Sequence, residues 1–126
     1  MTKQAVQSAQ APQPIGTYSQ AIRAAGAVYV SGQIGLDPAT MQLAESFGEQ
    51  THQVCRNLQA IATAAGLDLH AAVKLTVFLT DLAHFTQLNE IMSQYFRPPY
   101  PARSAVGVST LPRGALIEIE AILAQD

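Results

Sequence analysis

Charge is scarce in this sequence. Only 13% of its 126 residues are Asp, Glu, Lys or Arg, against about 25% in an ordinary soluble domain. The seven Lys and Arg residues form no run and the net charge is −2, which argues against a large basic footprint for nucleic acid. Cysteine is scarcer still. Cys55 stands alone, so no disulfide can form within the chain, and a reducing compartment is the simplest setting. His52, His70 and His84 have no ligand-like spacing to one another or to Cys55, so no metal site is expected. No apolar run approaches the length of a membrane span. The opening stretch, Met1 to Gln10, lacks the continuous apolar core of a secretory signal, and a cytoplasmic protein is expected. Also missing are the motifs G-x-S-x-G, the Walker A loop and G-x-G-x-x-G.

What is present is apolar. The chain is 48% hydrophobic, which excludes disorder over its whole length. Its size fits one domain. So little charge on so small a body suggests that part of the surface faces another subunit.

Residues 1–14, rich in Gln, Ala and Ser and ending in Pro12 and Pro14, are expected to be a flexible lead-in to one domain over 15–126. Two strands are expected at Ser19–Arg23 and Ala27–Ser31, turning at Gly26, and a short strand at Met41–Ala44. From about Glu45 to Ala65 the period becomes helical: Val54, Leu58, Ile61, Ala62 and Ala65 form one apolar stripe. Val73, Leu75, Val77 and Leu79 then alternate as in a strand. Asp81 is placed to cap a second helix carrying Phe85, Leu88, Met92, Tyr95 and Phe96, which Pro98-Pro99 stops. Two last strands follow at Arg103–Val108 and Leu116–Leu123. This order predicts an α+β layer, a mostly antiparallel sheet with two helices on one face. The other face would carry Thr76 and Phe78, and copies of the chain are the simplest cover for it.

Three features could carry chemistry. Arg103, in Pro101-Ala102-Arg103-Ser104, offers a rigid fork of donors that grips a carboxylate bidentately; spacing alone does not separate this from a surface ion pair. Glu118 and Glu120 share one face of the last strand. A glutamate desolvated beside an interface can exchange protons near neutral pH, although a solvated polar face has the same pattern. At Ser31-Gly32-Gln33 glycine permits close approach of a ligand to the backbone, or simply marks a bulge. Cys55 reads as a small buried hydrophobe, and the three histidines as surface residues.

The ordered set of segments resembles the RidA (YjgF) family, also described as L-PSP endoribonuclease-like, from Pro12 to Ile122. The resemblance lies in Ile15-Gly16-Thr17-Tyr18-Ser19-Gln20-Ala21, Val30-Ser31-Gly32-Gln33-Ile34 and Val73-Lys74-Leu75-Thr76-Val77-Phe78-Leu79-Thr80-Asp81-Leu82. It continues in Pro101-Ala102-Arg103-Ser104, Leu111-Pro112 and Ile117-Glu118-Ile119-Glu120-Ala121-Ile122. It implies a chorismate-mutase-like fold assembled as a homotrimer with a pocket at each subunit interface. The implied activity is hydrolytic deamination of 2-iminopropanoate and 2-iminobutanoate to keto acids and ammonia, without metal or cofactor. By the same resemblance Arg103 binds the substrate carboxylate, Glu118 moves protons and holds the water, and the backbone carbonyl of Ala105 is the water's other anchor. Tyr18, Ser31, Gly32 and Asn89 match pocket-lining positions. Ala105 stands where many members carry cysteine, Thr17 replaces a proline, Gly107 stands where a larger residue is common, and the 97–100 loop is short. The rival readings are an RNA-cleaving, translation-inhibiting protein and a trimer that binds a small ligand without turnover. RNA is disfavoured as a partner by the acidic balance.

Overall fold

The computed structural model describes residues 2–126. Six strands form one sheet in the order β1-β2-β3-β6-β4-β5. In chain order these are β1 (Gln4–Val6), β2 (Ala21–Ala24), β3 (Ala27–Gln33), β4 (Ala72–Leu79), β5 (Ala102–Gly107) and β6 (Ile117–Ala124), with helices α1 (Phe47–Ala64) and α2 (Phe85–Met92). Every pairing is antiparallel except β4 with β5, which run parallel because α2 crosses over between them. The sheet is thus mostly antiparallel, as its sequence predicts.

Side-chain alternation sorts the two faces. Ile117, Ile119, Ala121 and Leu123 of β6 are buried with Leu75, Val77 and Leu79 of β4 and Val54, Leu58, Ile61 and Ala62 of α1. The opposite face has no helix. There Tyr29 pairs with Ile122 and Phe78 with Glu118. Tyr29 is 48% exposed and Val106 is 42% exposed, an apolar surface of the kind proteins cover by association.

Local chemistry sets the helix ends. Ser46 Oγ accepts from the Glu49 N–H at 3.1 Å while Glu49 Oε1 accepts from the Ser46 N–H. This reciprocal box starts α1 two residues later than its apolar period suggests. At the other end Gly66, at φ 80°, donates to Thr63 O, and Leu67 donates to Ala62 O at 2.8 Å, a Schellman closure that requires the left-handed glycine. Asp81 caps a single 3-10 turn, Leu82–His84, before α2 begins. Tyr95 and Phe96 fall beyond the end of α2 in successive turns bonded to Met92 O, not within the helix as their spacing suggests. The strand expected at Met41–Ala44 reduces to one bridge, Leu36 to Leu43, because Met41 takes φ 60° and breaks the extended chain.

The lead-in expected over residues 1–14 needs correction over its described part. Gln4–Val6 pair with Arg23–Ala21 as an edge strand, and Val6, Ser8 and Ala11 are buried; Met1 lies outside the described residues. Gln20 fixes the segment. Only 2% exposed, it accepts from the Ser8 N–H at 2.6 Å and donates to Ser8 O, Ala11 O and Pro12 O. A buried amide satisfied on both ends holds a chain that apolar contacts alone would not. Gln20→Leu leaves four backbone groups without these partners, and an expected loss of about 2–3 kcal/mol follows. Urea unfolding reads that loss, and faster proteolysis within residues 2–14 places it.

Candidate active site

Arg103 lies in β5, the edge strand, opposite Leu75 of β4. That register sends its side chain to the helix-bearing face, where α2 receives it. Nη1 donates to Asn89 Oδ1 at 2.8 Å and lies 3.8 Å from Met92 Sδ. The guanidinium carbon stands 5.3 Å from the centre of the Phe85 ring, a cation–π support. Both hydrogen-bond contacts use Nη1, which leaves Nε and Nη2 without a protein partner, and Arg103 lines an open cleft of about 510 Å³ with Tyr100 and Phe96 in its walls. No ion pair forms among the described residues that would occupy this fork. A planar fork with one free edge suits a carboxylate.

Glu118 lies in β6 opposite Phe78, on the helix-free face. β3 bulges beside it: Val30 pairs with Ala121 but Gln33 with Ile119, so β3 has one extra residue between them. The bulge brings Gly32 against the Glu118 carboxyl so closely that a Cβ on residue 32 would lie 2.9 Å from Glu118 Cδ and overlap Oε2. Both readings of Ser31-Gly32 in the sequence therefore hold together, a bulge and a close approach. Burial, and then the charge of nearby Glu120, push the Glu118 carboxyl above its ordinary range.

That shift has a consequence for stability. A carboxyl that holds its proton more tightly in the fold than in the unfolded chain costs stability when it ionises. The cost appears as pH rises from the ordinary carboxylate range through the raised value. Glu118→Gln removes it. The variant is expected to melt higher than the native protein at neutral pH, and the difference to close as pH falls; thermal unfolding across pH checks the sign.

Tyr18 and Gly32 line the cavity of about 120 Å³ that holds Glu118. The Tyr18 ring is exposed and its hydroxyl accepts from the Ile15 N–H at 3.4 Å. Ser31 is half-buried and its hydroxyl donates to Ser19 O at 2.6 Å, so its proton is already used. Ala105, opposite Val77, is half-buried two residues along the edge strand from Arg103. One group of candidates, Arg103 and Asn89, thus gathers in the cleft on α2. Another, Glu118, Gly32 and Tyr18, gathers on the far face.

The two groups do not meet within one chain. Arg103 and Glu118 lie two strands apart and three residues apart along the sheet, roughly 14 Å through the backbone, with side chains on opposite faces. Sequence spacing cannot give this, because it depends on register between strands. It also missed the Phe85 and Met92 supports under Arg103, since helical period marks both only as core.

The remaining candidates are quiet. The Cys55 thiol is buried and pushed up to about 12, which leaves it unreactive. His70 is exposed, as expected, whereas His52 and His84 are half-buried. Aromatic contacts hold those two: His52 Nδ1 lies 2.7 Å from Tyr95 Oη, and His84 stacks on Phe47. Among the described residues no three His, Cys, Asp or Glu side chains come together as metal ligands, and no helix is long and apolar enough to cross a membrane.

Comparison with protein families matches residues 8–125 to Endoribonuclease L-PSP. The human 2-iminobutanoate/2-iminopropanoate deaminase is 43% identical over 99% of this chain and 92% of its own length. The crystal structure of RidA from an Antarctic Psychrobacter is 50% identical, covers 96% of this chain and 98% of its own, and superposes with a TM-score of 0.94. Escherichia coli TdcF with bound serine is 35% identical, with a TM-score of 0.93 over 98% of this chain and 99% of its own. Other relatives carry only the name RutC family protein.

Proposed function

The chain belongs to the Endoribonuclease L-PSP (RidA/YjgF) family, and on that premise we propose that it hydrolyses small 2-imino acids to 2-keto acids and ammonia. The observation that carries the proposal is the pair of half-sites, a guanidinium with a free edge and a carboxyl held towards its neutral form, at positions where the family carries its binding and proton-moving groups.

The chemistry uses each half. The substrate is a carboxylate next to a C=N bond, and the free Nε–Nη2 edge of Arg103 takes the carboxylate bidentately. Asn89 and Phe85 fix the guanidinium plane, so the C=N carbon is presented in one orientation. Water adds to the carbon of the protonated C=N bond as Glu118, in its ionised form, accepts the water proton, and the nitrogen becomes a neutral amine. Glu118 returns that proton to the nitrogen, the C–N bond breaks, and as the C=O bond forms the hydroxyl proton passes to Glu118 and on to the departing ammonia, which leaves as ammonium. A carboxyl with a raised affinity for its proton serves both steps near neutral pH. The Ala105 carbonyl anchors the attacking water, and Tyr18 and the Gly32 backbone close the pocket around the substrate. No step draws on a metal or cofactor. The serine bound to TdcF supports a small amino- or imino-acid ligand.

Half-sites on opposite faces call for a second copy to complete the site, and the homotrimer that the family resemblance implies would supply it, with the Arg103 cleft of one copy opening onto the Glu118 cavity of the next. The apolar helix-free face, with Tyr29 and Phe78, turns inward and supplies the interface. The direct test generates 2-iminobutanoate in situ and traps it with semicarbazide. The protein should lower the yield of trapped imine in proportion to its concentration, and an unchanged yield would remove the deaminase reading.

A further inference from the structure

The Glu118 cavity holds one basic group that no step above employs. Arg113 sits in the one-turn loop Pro112–Gly114 before β6, with φ 60° and ψ 20°. For a residue other than glycine that left-handed conformation is strained, and such strain persists only where the surroundings enforce it. The enforcing contact is visible. Arg113 Nη2 donates to Met41 O at 3.0 Å, and Met41 is itself at φ 60°. Two strained residues from separate loops are locked to each other, and both line the Glu118 cavity.

Arg113 has no acidic partner to explain it. Glu118 is the one acidic residue lining that cavity and Arg113 the one basic residue. The two form no ion pair although they line one cavity. Arg113 is exposed, with Nη2 tied to Met41 O and its other guanidinium nitrogens without a protein partner.

We propose that Arg113 is a second carboxylate-binding group and that it extends the substrate class to dicarboxylic 2-imino acids, the imines of acidic amino acids. This rests on the deaminase reading above. Arg103 grips the carboxylate next to the C=N bond, and Arg113, on the Glu118 side of the pocket, grips the carboxylate at the far end of the side chain. A single strut to Met41 would not need a cation at the pocket mouth, whereas a second anion does.

The test compares kcat/KM for the imine of 2-aminobutanoate and the imines of aspartate and glutamate, each formed in situ by an amino-acid oxidase. Wild-type protein, Arg113→Gln and Arg113→Lys are measured side by side. The dicarboxylic-to-monocarboxylic ratio is expected to fall about tenfold or more in Arg113→Gln, mainly through KM, and to fall less in Arg113→Lys. A strut would alter both substrates together, so an unchanged ratio overturns the proposal. Calorimetric binding of 2-oxoglutarate against 2-oxobutanoate reads the same preference without turnover. If imine turnover is absent but Arg113→Gln still weakens 2-oxoglutarate selectively, the deaminase reading fails and the second anion site stands. If neither ligand distinguishes the variants, the site falls.

Discussion

Arg103→Lys is expected to lose imine hydrolysis almost entirely while the fold and the assembly persist. The side chain lies on an edge strand and is exposed, so little core packing depends on it. What it does provide is geometry. Its Nη1 is committed to Asn89 and Met92 and its plane to Phe85, which leaves one two-pronged edge for a carboxylate. A lysine ammonium is a point charge on a flexible stem and cannot keep the Asn89 bond and a two-point grip at once. Breaking such a charge-assisted clamp costs about 2–4 kcal/mol, or roughly 30- to 1,000-fold in kcat/KM. Semicarbazide competition measures the rate, and light scattering checks that the assembly survives. Wild-type turnover in this variant would mean that the substrate carboxylate is held elsewhere.

The second large effect separates two glutamates on one strand. Glu118 and Glu120 both point to the helix-free face, opposite Phe78 and Thr76. Glu118 is half-buried against the Gly32 bulge, while Glu120 is exposed. Glu118→Gln preserves size and hydrogen bonding but cannot exchange a proton. Keto-acid binding should persist while turnover drops roughly 100-fold or more. Glu120→Gln removes one of the two causes that raise the Glu118 carboxyl. It should therefore shift the acidic limb of the pH–rate profile to lower pH and change the neutral rate far less. Steady-state rates for both variants across pH separate them. An essential Glu120 with a dispensable Glu118 would contradict the assignment.

Element order was legible because each segment carries its own period. The α1 stripe, the alternation in β4 and the in–out pattern of β6 all appear where hydrophobicity places them. The Arg103, Glu118 and Ser31-Gly32 candidates were legible as motifs. What one sequence does not encode locally is register between strands, and register decides that Arg103 and Glu118 fall on opposite faces. The β1 strand was hidden for a different reason. Its three residues show no alternation, and they are held by a polar residue distant in sequence, Gln20, whose burial no hydrophobic pattern announces. Arg113 was hidden too, since the strained backbone that aims it is a property of the folded loop.

Mixing two inactive proteins shows whether a second copy completes the site. Arg103→Ala retains an intact Glu118 half-site, and Glu118→Gln retains an intact Arg103 half-site. Unfolded together and refolded at equal ratio, they form mixed assemblies, which native mass spectrometry can count. If each site takes its arginine from one copy and its glutamate from the neighbour, about a quarter of the sites in a randomly mixed trimer are wild type. Imine hydrolysis is then expected to return to about a quarter of the native rate. Mixed assemblies that are present in full and remain as inactive as either parent would contradict a site shared between copies.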